Sequence, residues 1–355
     1  MQFIKPDINI DFLSKKWIAI GLSTLVNIAA ILILVINGGP KMGIDFAGGT
    51  QVVVKFSQAT NADAIRKTLD KVGLGTSSIQ QFGLAEEKTF AIKGGESEAD
   101  AATSEFGLKV DEALKKSYGA NFEVIGKDAV GPQVGRDLWD KALNAMFYSM
   151  IFMLIYISGR FEMQWLPSAV MSAIILGTMY VLSLFGIHMY ALMAIALVIA
   201  VVCFYFFKLR AAMGAIVGLL HDTLLTVGIL ALLGKEFNLQ IVAAILTIIG
   251  YSVNDTIIVF DRVRENTTKY ARMPLEAVIN RSVNETLSRT VLTSGVTLLT
   301  VFAIFFLGGE VLHDFALAII IGFIAGTYSS IFIACPFLLF WRGGNKAVGA
   351  DMMAK

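Results

Sequence analysis

Apolar and polar residues separate along this chain into long blocks. Runs of about 20 apolar residues, enough to cross the bilayer core as a helix, fall at Trp17–Ile36 and at about 138–157, 166–186, 190–207, 213–233, 239–260, 290–307 and 314–340. By length this predicts about eight spanning helices. Residues from about 38 to 136 are different: polar, mixed in charge and dotted with glycine. Alternation over Thr50–Phe56 predicts a strand. Asn61 is placed to cap a helix with apolar positions Ala64, Ile65, Leu69 and Val72. Ser77–Phe82 and Lys88–Ile92 read as two strands, Ala99–Tyr118 as a helix with Phe106, Val110 and Leu114 on one face, and Asn121–Ile125 as a last strand. The order β-α-β-β-α-β is the ferredoxin-like split pattern. The expected fold class is a polytopic α-helical membrane protein carrying a small ferredoxin-like α+β domain.

Composition agrees. The chain has 355 residues, 56% hydrophobic and 16% charged, with mean hydropathy +0.69, against about 25% charged in soluble domains. A net charge of +1 gives no bulk electrostatic basis for binding nucleic acid. Cys203 and Cys335 both fall in apolar runs and read as small core residues.

Loop charge sets an orientation. Arg160, Lys208, Arg210, Arg262, Arg264, Lys269, Arg272, Arg281, Arg289, Arg342 and Lys346 fall in alternate loops, while the short loops on the other side hold almost none apart from Lys235. The positive-inside rule then puts both termini in the cytoplasm. The expected organisation is a cytoplasmic N-terminus (1–16), a span (17–36), a periplasmic domain (37–136), a bundle (137–341) and a cytoplasmic tail (342–355). The first span is too long for a signal-peptide core and no A-x-A site follows, so it is expected to remain as an anchor. Pro274–Leu287 places Leu275, Ile279, Val283 and Leu287 four apart. It reads either as an amphipathic helix on the cytoplasmic membrane surface or as a helix packed on the bundle. Phe152–Ile187 and Val201–Phe237 form similar hairpins, an echo seen in transporters and equally produced by shared composition.

The chemistry concentrates in Gly250–Glu265, GYSVNDTIIVFDRVRE. Asn254 and Asp255 interrupt an apolar run that begins near Leu239, so Asp255 lies about 24 Å along the helix at 1.5 Å per residue. A carboxylate at membrane depth costs about 2.5–3.5 kcal/mol. Asp255 is therefore either neutralised near the interface by Arg262, two turns on, or a proton-sensitive group inside the bundle.

Several stretches carry a family resemblance: Gly43-Ile44-Asp45-Phe46-Ala47-Gly48-Gly49-Thr50, Val130-Gly131-Pro132-Gln133-Val134-Gly135, Arg160-Phe161-Glu162, His221-Asp222, Gly250–Glu265, Leu287-Ser288-Arg289-Thr290 and Thr293-Ser294-Gly295. In this order, after a first span and a soluble domain, they resemble the SecF branch of the SecD–SecF protein-export family, which is related to RND transporters. The resemblance covers most of the chain. It implies a multi-pass protein of the bacterial inner membrane that is an accessory of the Sec translocase and not an enzyme. The implied partners are SecD, the SecYEG channel, YajC, exported unfolded polypeptides and membrane lipids. The implied coupling ion is the proton, with no cofactor. Asp255 would be the titrating carboxylate, Arg289 its cationic counterpart and Asn254 its neighbour. The family pattern has six spans; here about 45 extra residues follow Glu162, an inserted hairpin at about 163–208 with no intramembrane acid.

Other motifs carry competing readings. His221 and Asp222 read as a polar cluster with Asp255 or as a satisfied structural pair; a metal site finds no further His cluster, since His188 and His313 fall in outside loops. Asp261 and Arg262 mark the cytoplasmic exit of their helix. Asp45, Gly48 and Gly49 read as a tight turn joining the first span to the sheet, with Asp45 bonding backbone amides; a strand follows where a nucleotide loop would open a helix. Arg289 also reads as an interfacial anchor. Gly214/Gly218 and Gly322/Gly326 predict close helix contacts. A stand-alone proton-coupled exporter would need a second bundle, and an intramembrane aspartyl protease using Asp255 and Asp222 would need a G-x-G-D pattern that the chain lacks.

Overall fold

With no water in the bilayer to take up backbone hydrogen bonds, apolar runs must satisfy their own amides, and helices do so. The computed structural model describes residues 8–81, 88–94, 101–162, 165–187, 189–207 and 209–340. Residues 342–355, His188 and Lys208 lie outside them. Seven helices among the described residues are long and apolar enough to cross a membrane. They are built from α1 (Lys16–Ile36), α5 (Pro132–Glu162), α6 (Trp165–Ser183), α8 (Arg210–Leu232), α9 (Leu239–Lys269), α10 (Leu275–Leu307) and α11 (Gly309–Ser329), the last continued by a π-helical turn (Ser330–Ala334) and α12 (Cys335–Phe340). The eighth expected span corresponds to α7 (Met189–Phe207), whose described apolar run is Ala191–Ala200. The π turn has a local cause: Pro336 has no N–H to give to the preceding turn.

Between α1 and α5 stand α2 (Ile44–Ala47), β1 (Gly49–Phe56), α3 (Ala62–Asp70), β2 (Ser78–Gln81), β3 (Thr89–Gly94), α4 (Ala101–Tyr118) and β4 (Phe122–Val130). The sheet order is β2-β3-β1-β4, all antiparallel, which is the ferredoxin-like arrangement that the sequence predicts. Asn61 accepts the Ala64 N–H at 2.8 Å and so starts α3. Val52, Val54 and Phe56 of β1 meet Ile65, Leu69, Val110 and Leu114 in one core. Each such aliphatic burial is worth about 1.5–3 kcal/mol.

Three local expectations need correction. The last strand does not stop at Ile125. It runs on to Val130, because β1 offers backbone partners along its whole length and a register shift at Val53/Val54 absorbs Ile125. Of the two readings of Pro274–Leu287, the helix packed on the bundle holds and the separate helix on a membrane surface does not. The segment is the first part of the 33-residue α10, and Leu275, Ile279, Val283 and Leu287 are buried in the bundle core. Gly43–Thr50 is not a bare turn either, since it contains α2.

The bundle is centred on α9, which packs against α5, α8, α10 and α11. Helix α1 is peripheral: Ala30 lies against Gly228 of α8, the Ser23 hydroxyl donates to the Tyr328 hydroxyl of α11, and that hydroxyl donates to the Ala19 carbonyl. The hairpin α6–α7 sits further out: α6 packs on α5, and α7 on α6. At the end opposite the sheet domain, residues near Ile10 are clipped to α10. Asn280 Oδ1 accepts the Phe12 N–H at 2.9 Å, and Asn284 Oδ1 accepts the Ile10 N–H at 2.8 Å.

Candidate functional site

Two carboxylates are fully buried in this bundle, and their environments differ. Asp222, on α8, is saturated: His221 Nδ1 lies 2.9 Å from Oδ1, and Oδ2 accepts the hydroxyls of Ser252 at 2.6 Å and Ser329 at 2.8 Å. These donors come from α9 and α11, so one acid joins three helices. Such charge-assisted bonds are worth about 1.5–3 kcal/mol each. Small residues permit the approach. Gly218 of α8 lies against Ser329, and Gly326 of α11 lies so close to Ser252 that an added Cβ would fall 2.9 Å from the serine Cβ. Gly214 and Gly322 meet Ala334 and Ile248 in the same way. The four glycines serve the close contacts that their spacing predicts.

Asp255, one turn beyond Ser252 on α9, has no such company. Its Oδ2 accepts the Ser294 hydroxyl of α10 at 3.2 Å, and Thr327 of α11 donates to Ser294 at 3.0 Å. Its Oδ1 is buried without a hydrogen-bond partner. Arg289 of α10 acts on Asp255 through space but makes no ion pair with it; its side chain is exposed on the bundle surface. Asn254 is exposed as well. Arg262 does not neutralise Asp255: it pairs with Glu265 at 2.6 Å and Glu285 at 2.8 Å at the far end of α9. The structure thus connects His221 with Asp222, links Asp222 to the Asp255 helix through Ser252, and leaves Asn254 and Arg289 facing outward.

Asp261 forms an ion pair with Arg160 at 2.9 Å, and Phe161 packs edge-on against Phe260 at 5.7 Å. The two motifs fasten α5 to α9 at the end away from the sheet. At the opposite end, Asp45 does bond a backbone amide, but not one of its own turn. Its Oδ2 accepts the Leu239 N–H, at the start of α9, at 2.9 Å. Gly48 (φ +77°) touches Pro132, and Gly49 (φ +120°) opens β1. No side chain fits between Gly135 and Phe46, so the glycine motifs before β1 and before α5 interlock.

Thr327 and Ser329 escaped the sequence reading, which held Ser294, and Ser252 within Gly250–Glu265, only as parts of motifs with no role of their own. Each is a small hydroxyl in an apolar run, where back-bonding to the helix is the usual fate. The one usable signal was Ser252, three residues before Asp255 and thus on a neighbouring face. Among the described residues no group of three or more His, Cys, Asp or Glu is placed to hold a metal.

The comparisons with known proteins follow this geometry. A family model for the C-terminal part of the protein export membrane proteins SecD/SecF matches residues 109–190 and 183–344, and a SecD/SecF GG-motif model matches residues 33–60. Among curated proteins, the chain is 38% identical over 345 residues to the protein translocase subunit SecF of Thermodesulfovibrio yellowstonii, covering 96% of this chain and 97% of that one. It is 35% identical over 336 residues to that of Desulfurispirillum indicum, covering 94% and 92%. Among solved structures it resembles SecDF, a translocon-associated membrane protein, from Thermus thermophilus, with TM-score 0.70 and 28% identity over 96% of this chain. It also resembles the super-membrane-facing form of SecDF, with TM-score 0.62 and 29% identity over 99% of this chain. The chain spans 40% and 41% of those two SecDF chains.

Proposed function

The chain belongs to the SecD/SecF family of protein-export membrane proteins, and on that premise we propose that it is the SecF-type subunit of a Sec translocase. It works beside a SecD partner, using the proton motive force to promote export of polypeptides through the SecYEG channel, with YajC as a further partner. It sits in the bacterial inner membrane with residues 1–16 and 342–355 in the cytoplasm and residues 37–136 in the periplasm. It is a translocase subunit and not an enzyme.

The observation that carries this reading is Asp255: a fully buried carboxyl in the central helix, one oxygen unpartnered, with a permanent cation nearby but not in contact. Such a group can exchange a proton. Ionised, it is drawn to the field of Arg289; neutral, it keeps an oxygen for Ser294 but loses that attraction. The proton is the coupling ion and no cofactor is needed. Asp222 has both oxygens engaged and holds α8, α9 and α11 together, so these three helices move as one unit against α10, which contributes Ser294 and Arg289. His221 fixes Asp222, and Asp261 with Arg262 holds the cytoplasmic ends.

The outward-facing Asn254 and Arg289 support a partner. An arginine facing lipid costs about 2.5–3.5 kcal/mol at the helix centre and less toward an end of the span, where Arg289 lies, and a second helical bundle laid on α9 and α10 removes that cost. The α6–α7 hairpin packs on α5 and leaves both residues exposed, so the insertion does not occupy this face. Export into inside-out vesicles containing this chain and a SecD partner tests the reading. A proton gradient should speed late translocation with the native chain and not with Asp255→Asn. Equal stimulation of both would reduce Asp255 to a structural carboxyl.

A further inference from the structure

The end of α9 that faces the sheet domain is held twice over. Asn238, its own capping residue, accepts the Ile241 N–H at 3.0 Å, which is the ordinary way a helix start is satisfied. Asp45 supplies a second acceptor, to the Leu239 N–H at 2.9 Å, from a separate part of the chain. A helix start has four such N–H groups to satisfy, so both contacts cap α9; the second also joins α9 to α2, and α2 is tightly built in. Phe46 packs on Trp139 of α5 at 5.2 Å and on Phe237 at 6.1 Å. Gly48, next in line before β1, has its backbone against Pro132 with no space for a side chain.

Neighbouring contacts run the same way. The Gly43 N–H donates to Phe237 O at 2.8 Å, and the Phe237 N–H donates to Lys41 O at 2.7 Å, so the loop before α9 and the segment before α2 pair as strands. Glu236 of that loop binds Lys41 at 3.2 Å and Lys93 of β3, and accepts from Gln80 of β2 at 3.3 Å. A displacement of α9 along its axis therefore has a short, stiff route into the sheet.

We infer that Asp45 is a positioning residue that delivers movement of the Asp255 helix to the sheet domain, with Glu236 as the auxiliary contact. This rests on the proposed reading that Asp255 drives a helix movement. The carboxylate suits the task, because it meets the positive end of the α9 dipole and its bond is made to the helix backbone, which cannot swing away as a side chain can.

The test uses the full chain with its SecD partner in proteoliposomes. Spin labels are placed at Lys71→Cys, just after α3, and at Leu307→Cys, at the end of α10, with Cys203→Ala and Cys335→Ala to remove the native thiols. Both labelled positions are exposed. Pulsed dipolar distances are compared between native, Asp255→Asn, Asp45→Ala and Asp45→Asn chains. Asp255→Asn is expected to shift the distance distribution. Adding Asp45→Ala is expected to abolish most of that shift, and adding Asp45→Asn to preserve it, since the amide oxygen still accepts the Leu239 N–H. If Asp45→Ala does not assemble, Asp45→Ser, too short to reach Leu239, carries the same expectation. A full shift in the Asp255→Asn, Asp45→Ala chain would overturn the link alone. No shift in Asp255→Asn itself would overturn both the link and the reading beneath it.

Discussion

Neutralising the two buried acids should change stability in opposite directions. Asp255 is fully buried, with one oxygen unpartnered and the other bonded by Ser294 at 3.2 Å with the Thr327 hydroxyl beside it. A buried polar atom left without a partner costs about 1–3 kcal/mol, and more when charged. Asp255→Asn keeps an oxygen for Ser294 and leaves a neutral NH2 in the unpartnered place, so only the charge is removed and the fold should gain about 1 kcal/mol. Asp222→Asn has the same chemistry and another outcome. Its carboxylate has contacts at 2.9, 2.6 and 2.8 Å with three groups; an amide keeps both serine bonds on one oxygen, but as weaker neutral ones, and turns an NH2 toward His221. The loss should be about 2–4 kcal/mol. The two variants would then lie apart by at least a hundredfold in unfolding constant, since about 1.4 kcal/mol is tenfold. Denaturant titration of the purified chain in mixed micelles, followed by circular dichroism, measures both. Asp255→Asn destabilising the fold as much as Asp222→Asn would refute the argument, because Asp255 would then be a satisfied structural acceptor. A stabilising change that also abolishes gradient-dependent export is the pattern expected of a functional group held at a stability cost.

Other consequences are smaller and local. Burial opposes ionisation of Glu236, but Lys93 and Lys41 outweigh it and hold its pKa below the ordinary 4.5. Because the folded value is depressed, its contribution is present above about 4.5 and is lost as pH falls through the folded value. Attachment of the sheet domain, read by a domain-to-bundle distance, should loosen in that acid window, and Glu236→Gln should remove the step. Gly48 and Gly73 both have positive φ, but an added Cβ meets Pro132 only at Gly48 and open space at Gly73. Gly73→Ala should cost about 1 kcal/mol and Gly48→Ala about 2–3 kcal/mol in thermal unfolding; equal costs would mean that the interlock with Pro132 yields freely. Replacing Asn280 and Asn284 together by alanine removes the bonds that hold Ile10 and Phe12. Limited proteolysis near Ile10 should then quicken several-fold, and an unchanged rate would show that the Lys16–Glu276 ion pair suffices.

The sequence by itself determined the membrane character, the helices and the βαββαβ order, because these follow from local patterns. Apolar runs of span length fix where helices must form, and alternation with turn residues fixes the short strands. It also singled out Asp255, since an acid in an apolar run is conspicuous without any structure. The tertiary structure decided what surrounds that acid. Ser252, Ser294 and Ser329 are ordinary hydroxyls in their own helices and become significant only when α8, α9, α10 and α11 bring them to a carboxylate. The sequence likewise left Asp222 and Asp255 alike, and packing alone made one saturated and the other half-satisfied. Asp45 shows the same limit at long range. Its side chain was expected to bond nearby amides, but the amide it takes lies 194 residues away, and no local rule reports which remote helix will start beside a given turn. The end of β4 failed for a related reason: Gly126, Lys127 and Asp128 look like a turn until β1 supplies the partner strand. Local chemistry writes the elements, and the pairing of distant ones decides which polar groups are left wanting.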